Sequence, residues 1–102
     1  MKRLVVVEPE AEADLAQAVA WYEQQRPGLG GQLFDEVYDT LARLESKPEP
    51  SVSDPTDKRA RRVFVQRFPF AVVFHRKGRT LLVIAIAHLR RRPGYWGEKR
   101  RR

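Results

Sequence analysis

Hydrophobic positions change their period twice along this 102-residue chain, and each change marks a new kind of element. Leu4, Val5, Val6 and Val7 form a short β-branched run closed by Glu8 and Pro9. That run predicts a strand over residues 3–8 followed by a helix start. From Glu10 the period is helical: Leu15, Ala18, Val19 and Tyr22 share a stripe, with Ala11 one turn earlier. Glu10, Glu12 and Asp14 crowd the first turn, where the helix dipole favours anions, and Pro27-Gly28 predicts a stop near Arg26. A second helix is expected after Gly30-Gly31, with Leu33, Phe34, Val37, Leu41 and Leu44 as its apolar stripe. Asp35, Glu36, Asp39 and Arg43 populate its other side. A connector of about five residues makes the two helices an antiparallel hairpin.

Residues 47–59 hold three prolines and almost nothing apolar, which predicts a loop. Beyond it the period becomes two. Arg61, Val63 and Val65 alternate with Arg62, Phe64 and Gln66 in a strand interrupted at Phe68-Pro69. A second strand covers Phe70 to Arg76, and Lys77-Gly78-Arg79 forms a tight turn. The strand from Thr80 to His88 is apolar on both faces, which places it inside the sheet. Pro93 ends regular pairing ahead of a short tail with Tyr95 and Trp96. The resulting order is β-α-α-β-β-β. It predicts an α+β fold with a helical hairpin packed on one face of a small, mostly antiparallel sheet. The N-terminal strand is a candidate partner for the last one. Burial preferences of large aromatic side chains put Trp21 and Phe68 in the core.

The length fits one domain, residues 1–102, with no room for a second core, and leaves open whether the basic tail 97–102 is ordered. There is no cysteine, and the two histidines, His75 and His88, lack zinc-ligand spacing, so neither disulfides nor a metal site is expected. No cofactor is expected either. The N-terminal apolar run is too short for a signal peptide or a span, so a soluble, cytoplasmic protein without membrane contact is anticipated. The net charge of +7 is unevenly spread: residues 1–50 carry −5 and residues 51–102 carry +12. A basic half of this kind attracts polyanions or acidic protein partners.

Four short pieces give the chain a family likeness. They are Asp14-Leu15…Ala18…Trp21-Tyr22-Glu23, then Gly28-Leu29-Gly30…Phe34, then Arg67-Phe68-Pro69-Phe70-Ala71-Val72-Val73-Phe74, and last Ala87-His88…Arg91-Arg92-Pro93…Tyr95-Trp96. In this order, and with these elements between them, the chain resembles the RelE/ParE toxin superfamily of type II toxin–antitoxin systems. Within the superfamily, RelE-like members cut messenger RNA on the ribosome and ParE-like members inhibit DNA gyrase. Both are neutralised by a small antitoxin that wraps the toxin, so a toxin–antitoxin hetero-oligomer is implied.

The two activities need different residues. A metal-free ribonuclease needs a base for the 2′-hydroxyl, cations for the phosphate and an acid for the leaving oxygen. Carried over from RelE-like toxins, the catalytic candidates are Arg67, His88, Arg91 and Tyr95. Lys58, Arg59, Arg62, Arg90, Arg92 and Trp96 are candidates for contact with phosphate or target. At the position after the last strand where those nucleases carry an arginine, this chain has Leu89. The same residues also read as a solvated basic turn, with His88 at a strand rim and Tyr95 and Trp96 covering an open end of the core. Gyrase inhibition needs no acid–base set, only a surface, and the arginine-rich tail with Tyr95 and Trp96 has the make-up of interface hot spots. Leu89 tilts the balance towards the ParE-like reading. A non-toxic, basic nucleic-acid-binding module is the third reading.

Overall fold

The structure, a computed structural model, describes residues 3–46, 51–55 and 57–90. Its elements follow the order β1 (Leu4–Val7), α1 (Pro9–Gln25), α2 (Leu29–Ser46), β2 (Val52–Ser53), β3 (Ala60–Phe64), β4 (Phe70–Lys77) and β5 (Thr80–His88). The strands form one sheet in the order β1-β5-β4-β3-β2. The largely apolar β5 sits between two neighbours, as its two-faced hydrophobicity demands. β1 pairs with it in parallel, Leu4 against Thr80 and Val7 against Val83, and every other pairing is antiparallel. The expected fold class is therefore the observed one.

Both helices lie on one face of the sheet. Ala11 and Leu15 of α1 and Leu33, Val37, Leu41 and Leu44 of α2 pack there on Val63, Phe70, Val72, Phe74, Leu81, Val83 and Ile86. On the opposite face Ala60, Val73, Ile84, Ala85 and Ala87 form a second buried cluster. The register between β4 and β5 slips once, so that Val73 pairs Ala85 while Phe74 pairs Val83. Ile84 is the extra residue of this bulge, and its side chain joins the second cluster.

Four expectations are corrected. The stretch 47–59 is not all loop, because Val52–Ser53 pair with Arg61 and Arg62 as a short edge strand. The helix connector is shorter than the spacing of glycines suggests, and α2 starts at Leu29 with Gly30 and Gly31 inside its first turn. Phe34 leaves the apolar stripe and stacks on Tyr38, 4.4 Å between centroids, with 44% of its surface exposed. Trp21 is 56% exposed rather than core, whereas Phe68 packs edge-on against Tyr22 at 5.3 Å.

Glu23 sets the angle between the helices. Its Oε2 accepts the Gly28 N–H at 2.8 Å and its Oε1 accepts the Gly30 N–H at 3.0 Å. A carboxylate from the last turns of α1 thus caps the N-terminus of α2, satisfying free amides and opposing the dipole. Gly28 turns the chain with φ +90, a conformation that a side chain disfavours. Gly30 serves a different end: a Cβ there would lie 2.5 Å from the Val19 carbonyl oxygen, so only glycine lets the helices approach this closely.

Candidate functional site

The β3–β4 turn and the end of β5 meet at one end of the sheet. Phe70 pairs with His88, and the Leu89 N–H donates to the Pro69 carbonyl at 2.9 Å. The C-terminal half of α1 leans over this end, where Tyr22 packs edge-on against Phe68 at 5.3 Å and faces Phe70 at 6.1 Å. Trp21 in turn packs edge-on against Tyr22 at 4.9 Å.

Between α1 and these strand ends lies a cleft of ≈ 280 Å³. Asp14, Gln17, Ala18, Trp21 and Tyr22 form its helical wall. Phe70, Ile86 and His88 form the wall from the sheet. Asp14 is 8% exposed, and its Oδ2 accepts the Ile86 N–H at 3.2 Å, tying α1 to β5 across 72 residues of sequence. The His88 ring stands edge-on to Phe70 at 5.1 Å, and its Nδ1 accepts the Arg90 N–H at 3.1 Å. That bond places the ring proton on Nε2 when the imidazole is neutral.

Of the described sequence-derived candidates, only His88 lines this cleft. Arg67, in the β3–β4 turn with φ +69, turns its side chain to α2, where Nε pairs with Glu36 Oε2 at 3.0 Å and Nη2 donates to Gln32 Oε1 at 3.2 Å. Lys58 and Arg59 precede Ala60, which pairs with His75, five residues along β4 from the Phe70 that pairs with His88. At ~3.4 Å per residue this separates them from His88 by about 17 Å along the strands. Arg62 lies in mid-β3 opposite Val73, on the face turned away from the helices, with its guanidinium carbon 5.6 Å from the Phe64 ring centre. Among the described candidate cations, Arg90 alone stays beside His88. Arg91, Arg92, Tyr95 and Trp96 lie outside the described residues.

A second polar pair occupies the far end of the sheet. His75 Nε2 is 3.4 Å from Asp57 Oδ2, and the Arg59 backbone N–H donates to Asp57 Oδ1 at 2.9 Å. The Arg59 N–H, joined by the His75 ring, holds the Asp57 carboxyl below its ordinary value against the opposing effect of burial. Among the described residues no three His, Cys, Asp or Glu side chains come together to hold a metal ion. No helix among them is long and apolar enough to cross a membrane.

The cleft residues Asp14, Gln17 and Trp21 escaped sequence reasoning. Their shared signal was present: the spacing of three, four and seven puts them on one edge of α1, running from the buried Asp14 to the exposed Trp21.

Comparison with known proteins agrees with this architecture. The family model for the ParE toxin of type II toxin-antitoxin system, parDE, matches residues 5–93. Among solved structures, the chain is similar to one described as the chromosomal ParDE TA system from P. aeruginosa, with a TM-score of 0.75 and 17% identical residues. That match covers 86% of this chain and 97% of the other, and at such low identity it speaks for the fold alone. No curated protein matches. The family match runs from within β1 past the end of β5, over nearly the whole sheet and both helices, and the chain accordingly belongs to the ParE toxin family of type II toxin–antitoxin systems.

Proposed function

We propose that this toxin arrests growth in the cytoplasm by binding and inhibiting DNA gyrase, and that a cognate antitoxin neutralises it in a toxin–antitoxin hetero-oligomer. The observation that supports the choice of target is that, among the described candidates, the cations other than Arg90 are either engaged by α2 or placed far from His88. Arg67 is held by Glu36 and Gln32 of α2, while Lys58 and Arg59 sit at the opposite end of the sheet from His88. His88 spends its Nδ1 on the Arg90 N–H, and Leu89 offers no charge to a phosphate. Lys58 and Arg59 are too far from His88 to clamp one phosphate with it.

Inhibition by binding asks instead for exposed aromatic and arginine side chains on a rigid frame. Trp21 and the stacked Phe34–Tyr38 pair are exposed on the two helices. For the antitoxin, support comes from family membership and from the open edge of β1, where Leu4 and Val6 are exposed beside the partly buried Val5 and Val7. An extended segment can add to such an edge through main-chain hydrogen bonds.

The test is pulse-labelling of DNA, RNA and protein synthesis within minutes of inducing the toxin alone, paired with a gyrase supercoiling assay on the purified protein. The proposal expects DNA synthesis to fall first and supercoiling to be inhibited. An early fall in protein synthesis with cleaved messenger RNA would make it a nuclease. Strong binding to nucleic acid without growth arrest would leave the third reading standing. Co-expression with a short acidic neighbouring reading frame should restore growth.

A further inference from the structure

We propose that residues 91–102 turn back after β5 and close the second face of the sheet, with the Trp96 ring seated on Val73, Ile84, Ala85 and Ala87. The inference concerns how the chain completes its own core and does not depend on gyrase being the target.

It starts from burial on a face that no described helix covers. Both helices occupy one face of the sheet. Side chains alternate along a strand, so Ala71 and Val73 of β4 share the other face with Ala87 and Ala85, their partners in register on β5. A sheet face left to solvent is normally lined by polar side chains. Here Ala71, Val73 and Ala85 are 0% exposed and Ile84 is 1% exposed. Burial of that degree needs a covering segment.

Elimination names the segment. At the far end of the sheet the loop before β3 folds against His75 through Asp57, 3.4 Å away, beside Ala60. Val73 and Ala71 lie two and four residues further along β4, about 7 and 14 Å beyond that contact. The β3–β4 turn curls towards the helices, where Arg67 pairs with Glu36 and Phe68 packs on Tyr22. Of the chain outside the described residues, 1–2 adjoin β1 at the far end, 47–50 join α2 to the edge strand β2, and residue 56 belongs to the loop before β3. Only residues 91–102 begin beside the covered strip.

Reach, width and shape agree with that occupant. The Leu89 N–H donates to the Pro69 carbonyl at 2.9 Å, so the chain leaves β5 at the end nearest Ala87. From Ala87 to Ile84 is about 10 Å along the strand. The six residues from Arg91 to Trp96 span up to ~20 Å when extended, enough to double back over it. On the same face Phe64 stays 48% exposed, and Leu4 and Val6 are 61% and 38% exposed. The cover is therefore one narrow segment rather than a layer. The strip beneath it is also hollow. Alanine is depleted in strands, yet Ala71, Ala85 and Ala87 stand together and leave room for one large ring. Trp96 is the largest apolar side chain beyond β5. Seated there it belongs to the frame, and Lys99, Arg100, Arg101 and Arg102 are tethered to this part of the sheet.

The experiment uses the full chain carrying Trp21→Phe, which leaves Trp96 as the sole tryptophan. Nuclear Overhauser contacts of its indole ring are recorded together with its emission and its quenching by acrylamide. The expected result is contact with the methyl groups of Val73, Ile84 and Ala85, emission blue-shifted from that of N-acetyl-tryptophanamide, and slower quenching than the free amide shows. Ala85→Met fills the hollow with a flexible apolar side chain and should displace the ring, so that its emission returns towards red. Trp96→Ala leaves every strand residue in place, and should lower the urea midpoint and raise binding of an apolar dye. Mixing isotope-labelled with unlabelled chains distinguishes contacts within one molecule from contacts between two. Emission and quenching like the free amide's, with no contact to this face, would overturn the assignment. So would contacts that arise only between molecules, which would make a second copy the cover, or a Trp96→Ala variant unchanged in both midpoint and dye binding. All of these readouts concern the fold, so their failure is distinct from a failure to inhibit gyrase.

Discussion

Replacing Gly30 by alanine isolates the contact that joins the two helices. In a solvent-exposed helix such a change normally stabilises, because alanine exceeds glycine in helix propensity by about 1 kcal/mol. Here the added methyl would lie 2.5 Å from the Val19 carbonyl oxygen and 2.9 Å from Glu23 Oε1. Ordinary contact begins near 3.4 Å, so the helices must part by about 0.9 Å, and the carboxylate that caps α2 must move. Overpacking of a close contact costs about 1–3 kcal/mol, and loss of a cap about 1 kcal/mol more. Against the propensity gain, the net expectation is a loss of about 1–3 kcal/mol. For a domain of this size that is a fall in Tm of about 4–8 °C per kcal/mol.

Gly31→Ala is the built-in control. Its Cβ would meet nothing within 4 Å, so only the propensity term remains and the variant should gain about 0.5–1 kcal/mol. Thermal unfolding followed by circular dichroism, with urea titrations to obtain free energies, measures both. Two adjacent glycines in the same helical turn should thus move stability in opposite directions. If Gly30→Ala proves as stable as the wild type, the helix approach is not limited by that carbonyl and the account of the hairpin is wrong.

Other outcomes follow from the same contacts. Glu23→Ala removes the acceptor for two amides of the α2 N-terminus and should cost about 1–2 kcal/mol by urea unfolding, non-additively with Gly30→Ala because the two share a partner. Leu33→Ala empties a fully buried position on the core face of α2 and should cost about 2–5 kcal/mol in the same assay. Asp57 binds its proton more weakly in the folded chain than in the unfolded one. Its contribution is therefore full above the unfolded carboxylate value and is lost as pH falls through the lower folded one. Asp57→Asn should flatten the acid limb of the stability profile while leaving the fold intact at neutral pH.

Much of this fold was legible because its strands carry unambiguous periods. Thr80–His88 is apolar on both faces, and only an interior strand can bury such a segment. The helical stripe of Leu33, Val37, Leu41 and Leu44 was equally plain. What escaped was decided by partners remote in sequence. Gly30-Gly31 looked like a helix boundary, yet Gly30 is helical because Val19 comes so close and because Glu23, seven residues earlier, caps the turn. Trp21 reads as core by residue type, but it shares its helix edge with Asp14 and Gln17 and so faces the cleft. The candidate cations Lys58, Arg59 and Arg67 were grouped by residue type, and strand register alone reveals that the first two lie far from His88.

The parallel pairing of β1 with β5 also dictates when the toxin can exist. Leu4–Val7 are made long before Thr80–Val83, their strand partner among the described residues. At synthesis rates of ~5–20 residues per second the first strand waits about 4–15 s for its mate. Until then the apolar β1 and the inner faces of both helices have no complete sheet to cover them. Closure of the sheet, and with it any activity that needs its assembled end, must wait for β5. Until β5 has been made, β1 has no place in the sheet, so the frame that holds both helices is completed by one pairing rather than strand by strand.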